Sequence, residues 1–470
     1  MESREDSTPL HVVMFPWFAF GHISPFIQLS NKLSSHGVRI SFFSAPGNIT
    51  RISSSLSSAS HVQILPLQIP PVEGLPPGLD STAEMTPAMA ELLKRALDQM
   101  GSQVKTLLSQ LKPHFVFFDF AQQWLPPIAS QLGIKTLFFS VFSAVSSSYL
   151  TVPARLTSAS KESPTIDDMK KPPPGFPATS ITSVETYQAR SFLYIFMSFH
   201  GGSCVYDRVV ACMKGSTAIV IKTCAEMEGP YIDFVKTQYG KPVLLAGPVV
   251  PEQPSGVLEE RWAKWLGSFP AKSVVFCSFG SETFLKDEQI RELVLGLELT
   301  GQPFFVVFNF PVDDEKARLK AALPEGFAER VKDKGVVHTG WVQQQLILAH
   351  DSVGCFVCHS GFSSITEALV NDCQLVLLPQ RGDQFLNSKL VSGDMKAGVE
   401  VNRRDEDGHF GKEDVCAAIK TVTVNVNEEP GKSVGENQRK WREYLLDEET
   451  QKKFVTDLVK EMKVMANAEI

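Results

Sequence analysis

Short apolar runs rich in valine, isoleucine and phenylalanine alternate along the chain with longer segments whose apolar residues recur at helical spacing. The first half carries LHVVMF (10–15), VRISFF (38–43), HFVFFD (114–119), IKTLFF (134–139) and TAIVIK (217–222). The second half repeats the idea with SVVFCSF (273–279), PFFVVFN (303–309), GCFVC (354–358) and QLVLLP (374–379). Unbroken apolar runs of this length belong to strands buried on both faces, as in parallel sheets covered by helices. The pattern therefore predicts an α/β fold of two doubly wound, Rossmann-like domains.

The alternation breaks between Ala246 and Gly256, where three prolines and two glycines follow one another. Such a stretch reads as a linker. The expected division is a first domain over 1–245, a linker over 246–257 and a second domain over 258–436. A helical tail, 437–470, is expected to pack back on the first domain. Lys171-Pro-Pro-Pro-Gly-Phe-Pro177 is expected to form a long surface loop within the first domain.

Charge and composition narrow the partners. Lys+Arg 45 against Asp+Glu 52 gives a net charge of −7, and no stretch concentrates basic charge enough to follow a phosphate backbone, so nucleic acid is not expected. The first residues, MESREDSTPL, lack the basic and apolar regions of a secretory signal, and nothing approaches 18 consecutive apolar residues. A cytoplasmic protein working as a monomer is expected. The eight cysteines mostly sit inside apolar runs, as small buried hydrophobes do in a reducing compartment, and disulfides are not expected. The Asn48-Ile49-Thr50 sequon then carries no meaning.

Two sets of residues carry candidate chemistry. In the first half, LHVVMF leads through Gly21 to His22 and then to a helix expected from Ser24. A histidine there stands at the carboxyl edge of the sheet, where open α/β folds place ligands. An imidazole can take a proton from an attacking hydroxyl at neutral pH. HFVFFD ends at Asp119, whose carboxylate can hold one ring nitrogen, fix the tautomer and stabilise the imidazolium.

In the second half, GCFVC is followed by His359-Ser360-Gly361 and a helix expected near Ser363 and Ser364. Helix N–H groups and the positive dipole end favour an anion such as a pyrophosphate in that turn. Gly361 permits close backbone approach, while His359 and the serines add donors. Glu367, one turn on, is placed to accept from ribose hydroxyls, and Trp341 offers a flat face for a uracil ring. Ser278-Phe-Gly280-Ser281 makes a similar small-residue turn whose N–H groups and Ser281 hydroxyl suit the outer phosphate. Cys355-Phe-Val-Cys358-His359 also matches a haem-attachment pattern, but strand alternation sends the two thiols to opposite faces, and haem or zinc is rejected.

The stretch from Trp341 to Gln384 resembles the plant secondary-product glycosyltransferase box of the family-1 UDP-glycosyltransferases, and the similarity extends over nearly the whole chain. That resemblance implies a GT-B fold and transfer of sugar from a UDP-sugar. Trp341 would stack uracil, Gln344 and Glu367 would hold ribose, His359 with Ser364 would bind the diphosphate, and Val342, Gly361 and Ser363 would also belong to the UDP-sugar site. Asp383 and Gln384 would read sugar hydroxyls, with Gly21 and Ser281 also against the donor. His22 and Asp119 would be the catalytic pair. No Asp-x-Asp motif stands at a strand end, so no metal or other cofactor is expected.

Phe362 and Ser363 stand where the box commonly has Trp-Asn, and Asp372-Cys373-Gln374 where it has Gly-Val-Pro. These departures resemble the sugar-extending branch that includes anthocyanidin-3-glucoside rhamnosyltransferases. The resemblance implies UDP-L-rhamnose as donor and a phenolic or flavonoid glycoside as acceptor, in inverting transfer. UDP-glucose or UDP-xylose as donor, a phenolic aglycone as acceptor, and a non-catalytic UDP-sugar sensor are the alternatives. An epimerase is disfavoured because no Gly-x-Gly-x-x-Gly stands near the start. Aromatic residues of the first half, among them Trp17, Phe120 and Phe142, are candidates for the acceptor pocket but equally for core.

Overall fold

A computed structural model describes residues 9–56, 61–82, 85–156, 163–251, 256–280, 283–310 and 315–468. Two all-parallel sheets organise them. The first runs through β1 (His11–Phe15), β2 (Arg39–Ser44), β3 (Val62–Pro66), β4 (Phe115–Phe118), β5 (Lys135–Ser140), β6 (Ala218–Ile221) and β7 (Val243–Leu245). The second comprises β8 (Val274–Ser278), β9 (Phe304–Phe308), β10 (Gly335–Thr339), β11 (Val353–Cys358), β12 (Gln374–Leu377) and β13 (Val399–Glu400). Their spatial orders are β3-β2-β1-β4-β5-β6-β7 and β10-β9-β8-β11-β12-β13. Each order reverses direction once, between β1 and β4 in the first sheet and between β8 and β11 in the second. Such reversal points open a crevice at the carboxyl ends of the strands.

Every apolar run singled out in the sequence is an interior strand. The strands that the pattern did not announce, β3, β7, β10 and β13, are the four sheet edges. β1, β4, β6, β8, β9 and β11 are buried at every position, whereas β7, β10 and β13 are only half-buried throughout. An edge strand needs no unbroken apolar sequence, so it leaves a weaker trace.

One side of the first sheet packs on the helix Phe20–Ser35 and on the last helix, Glu448–Asn467. Val455, Leu458, Val459 and Met462 join Val12, Met14, Phe26 and Phe117 in one buried cluster there. The chain thus returns from the second sheet to close over the first, and Lys135 Nζ donates to the Ala468 carbonyl at 2.6 Å. On the other side, a second cluster runs from Phe15 and Phe118 through to Phe356 and Leu386, so the two sheet systems share one core.

Polar contacts tie the halves as well. Ser143 Oγ donates to Asn387 Oδ1 at 2.6 Å, and Thr366 Oγ1 donates to the Val249 carbonyl at 3.1 Å. Segment 171–177 is irregular, and Phe176 anchors it by packing on Tyr149, Tyr231 and Phe234. No helix among the described residues is long and apolar enough to cross a membrane. The eight cysteines are unpaired; Cys355 and Cys358 are buried in different clusters on the two faces of β11.

One helix begins earlier than expected. It starts at Phe20, with Pro25 inside it, because the His22 and Ile23 N–H groups already donate to the Ala19 carbonyl at 2.9 Å. His22 therefore belongs to the first helical turn rather than to a turn ahead of it. Gly21 is likewise helical, with no atom within 4 Å of where a Cβ would stand.

Candidate active site

Register brings the first pair together. Phe15 of β1 lies opposite Phe118 of β4, so the residues that follow these strands emerge side by side at the reversal point. His22 Nδ1 lies 2.7 Å from Asp119 Oδ2. Asp119 is buried, and its oxygens accept two further bonds, from the Trp17 N–H at 3.2 Å and the Phe120 N–H at 2.7 Å. Gln122 holds the same turn, accepting from the Asp119 N–H and donating to the Pro16 carbonyl. A carboxylate gripped in this way can only accept, so Nδ1 carries the proton and Nε2 presents its lone pair. The rings of Phe120 and Phe142 lie 5.5 and 5.4 Å from the imidazole, centroid to centroid, and fix its plane.

The second reversal point is built alike. Ser278 of β8 lies opposite Cys358 of β11, which sets His359 beside Phe279 and Gly280. The imidazole of His359 packs between two glycines. A Cβ on Gly280 would come within 3.1 Å of its Cε1, and one on Gly361 within 2.6 Å of its Nε2. Gly280 also has φ +72°, a conformation that glycine adopts without strain. Burial, helped by the charge of Arg381, draws the His359 pKa down to about 4, so the ring is neutral at pH 7. Its Nδ1 is buried without a hydrogen-bond partner among the described residues.

Gly361 then caps the helix Phe362–Val370 with no side chain bonded to the first N–H groups. Those groups, at Phe362, exposed Ser363 and buried Ser364, stand at the positive end of the helix. Ser281, expected beside them, lies outside the described residues, as do residues 252–255 of the expected linker.

Hydrogen bonds tie some of the remaining box residues to this turn and its helix. Trp341 is 76 % exposed, a large indole surface with little covering it, while Val342 beneath it is buried. Gln344 Nε2 donates to Glu367 Oε2 at 2.7 Å, and Gln345 Nε2 to Glu367 Oε1 at 3.2 Å. Burial pushes the Glu367 carboxyl up, and the two amides oppose that rise. Gln384 is pinned by its Oε1, which accepts the Gln380 and Arg381 N–H groups and leaves its amide NH2 to donate. Asp383 Oδ2 accepts from Asn387 Nδ2 at 3.1 Å, one helical turn on.

The two reversal points face each other. Burial raises the Asp383 pKa, and the opposing charges include His22, which reaches it from the other lobe. Sequence reading missed Asn387, Gln345 and Gln122, the residues that hold Asp383, Glu367 and Asp119 in place. Only Asn387 left a signal, four positions after Asp383 on one helical face.

Residues 218–430 match the family model described as "UDP-glucoronosyl and UDP-glucosyl transferase". The chain is 62% identical over 466 residues to an anthocyanidin-3-O-glucoside rhamnosyltransferase of Petunia hybrida, covering 99% of this chain and 98% of that one. It is 56% identical over 467 residues to UDP-glycosyltransferase 79A6 of Glycine max, covering 99% of each. Among solved structures, UGT73P12 of Glycyrrhiza uralensis, in complex with glycyrrhetinic acid 3-O-monoglucuronide, superposes with a TM-score of 0.79 at 22% identity. That likeness covers 97% of this chain and 96% of the other, and it shows a shared GT-B fold.

Proposed function

Since this chain belongs to the family-1 UDP-glycosyltransferases, and is an enzyme of sugar transfer from UDP-sugars, we propose that it moves one sugar, with inversion, onto a sugar hydroxyl of a phenolic or flavonoid glycoside. The observation that carries this reading is the 2.7 Å His22–Asp119 contact standing opposite the anion-favouring helix end at Gly361.

The lobe ending at Leu245 holds the acceptor, and residues 258–436 hold the donor. His22 Nε2 takes the acceptor's hydroxyl proton as that oxygen attacks the anomeric carbon. One C–O bond forms while the bond to the β-phosphate oxygen breaks, and UDP leaves with the electron pair. A single displacement inverts the anomeric centre. Asp119 stabilises the imidazolium through Nδ1; general-base help of this kind is worth roughly 10²- to 10⁴-fold. The uncapped N–H groups of the helix Phe362–Val370, with His359 and Ser364, meet the charge gathering on the diphosphate. Those donors support transfer without a metal, which activity retained in a chelator tests.

On the donor side, Trp341 stacks on uracil, Gln344 and Glu367 hold ribose, and Asp383 and Gln384 accept from and donate to sugar hydroxyls. The donor sugar we favour is L-rhamnose, supported by the petunia relative at 62% identity. A monomer in the cytosol is the assembly and place we favour; the unpaired, mostly buried cysteines support the reducing compartment.

The experiment is a matrix of UDP-rhamnose, UDP-glucose and UDP-xylose against flavonoid aglycones and their monoglucosides, read by product mass. The expected product is a monoglucoside plus rhamnose. Reaction with aglycones alone would refute sugar-on-sugar transfer, and a preference for another donor would refute rhamnose.

A further inference from the structure

Lys222 is a charged group of the crevice that this chemistry does not use. It is the first residue beyond β6, on the carboxyl edge of the first sheet, and only 4 % of it is exposed. Its ammonium reaches across to the second lobe, 5.9 Å from the ring centroid of Phe362, the residue that opens the anion-favouring helix. Its charged neighbours are Asp383 from the second lobe, and Glu228 and Asp119 from the first. Burial draws Lys222 down to about 8, while the three carboxylates oppose the loss of its proton. A buried ammonium is costly unless nearby anions and dipoles compensate it, so its position here calls for a role.

Asp383 is where that charge meets the second lobe. Its carboxyl is pushed up by burial, and Asn387, Lys222, Arg381 and His22 oppose that rise. Asn387 is wholly buried; it donates to Asp383 Oδ2 and to the Ser360 carbonyl, and accepts from Ser143 of the first lobe. Asp383 is thus steered by the first lobe twice, through Ser143 and Asn387 by hydrogen bonds and through Lys222 by charge. An ionised carboxylate accepts hydroxyl hydrogen bonds roughly twice as strongly as a neutral group.

We propose that Lys222 is a positioning residue for the donor sugar: it acts through Asp383, its positive charge holding that carboxylate in place against the sugar hydroxyls, so the first lobe takes part in choosing the donor. This rests on the reading of Asp383 as a sugar contact.

The test is a double-mutant cycle of Lys222→Met and Asp383→Asn, with KM for the UDP-sugar and calorimetric Kd for UDP alone. Lys222→Met is expected to raise the donor KM by about tenfold and to leave the UDP affinity within about twofold, because UDP lacks the sugar. In the Asp383→Asn background the same change adds less than about twofold, since the route is already cut. Lys222→Arg restores most of the donor affinity. Equal weakening of UDP and UDP-sugar, an effect confined to the acceptor KM, or full additivity would each overturn the proposal. Should Lys222→Met fail to fold, Lys222→Gln against Lys222→Arg gives the same comparison. An unsubstituted chain that binds UDP but no UDP-sugar would overturn the donor reading itself, which its calorimetry reports separately.

Discussion

His22 and Asp119 are separated by 97 positions of sequence and joined by 2.7 Å, because β1 and β4 are neighbours at the point where the first sheet reverses its order. The second sheet repeats that geometry with Gly280 and His359. Two crevices made by one topological rule face each other, which is what transfer between two bound molecules requires.

Trp341 is 76 % exposed, so its indole contributes little to the core. Trp341→Ala should leave the melting temperature nearly unchanged. The proposed stacking on uracil would be equal in the ground and transition states, so the donor KM should rise about tenfold while kcat changes far less. Steady-state kinetics with saturating acceptor check this; an unchanged KM removes Trp341 from the base site.

Gly361 has no room for a methyl group, since a Cβ would stand 2.6 Å from His359 Nε2. The ring, being the movable partner, would shift. Gly361→Ala should therefore fold and yet bind UDP about tenfold or more weakly, because the displaced imidazole and crowded helix end no longer suit a diphosphate. Calorimetry with UDP reads this; retained affinity would show that neither group contacts the phosphates.

Burial around the imidazole, with the charge of Arg381, draws the His359 pKa down to about 4, below the ordinary value near 6.5. The unfolded chain therefore takes up this proton first as the pH falls, and stability drops between about pH 6.5 and 4. At pH 5 the loss from this group is ~2 kcal/mol. Urea unfolding at pH 7 and pH 5 should show a steeper fall in the native chain than in His359→Gln. His11, also drawn down to about 4, leaves a residual slope in the variant. Equal slopes would mean that His359 is solvated.

How much of this was legible in the sequence follows from burial. Interior strands such as β4 and β11 are covered on both faces and must be apolar throughout, so they stood out; β3, β7, β10 and β13 lie at edges, where half-burial suffices. The helix was expected from Ser24, but the Ala19 carbonyl already nucleates the turn that carries His22. Asp119 and His359, directly after β4 and β11, and His22, in the first turn of the helix after β1, were readable because topology alone places them. Lys222 was visible as the charged end of TAIVIK, yet its meaning depends on Asp383 approaching from the other lobe. Gln345 acts by holding Glu367 from 22 positions away, and a contact of that kind leaves no fixed spacing.

The most direct measurement is UDP release in the presence of a flavonoid monoglucoside and UDP-rhamnose, for the native chain, His22→Ala and Asp119→Asn, alongside calorimetric UDP binding. If His22 is the base and Asp119 its orienting partner, both variants should bind UDP as the native chain does. His22→Ala should release UDP on the order of 10³-fold more slowly, with Asp119→Asn slowed by a comparable factor through the wrong tautomer. Native rates from His22→Ala, or loss of UDP binding in place of turnover, would contradict it.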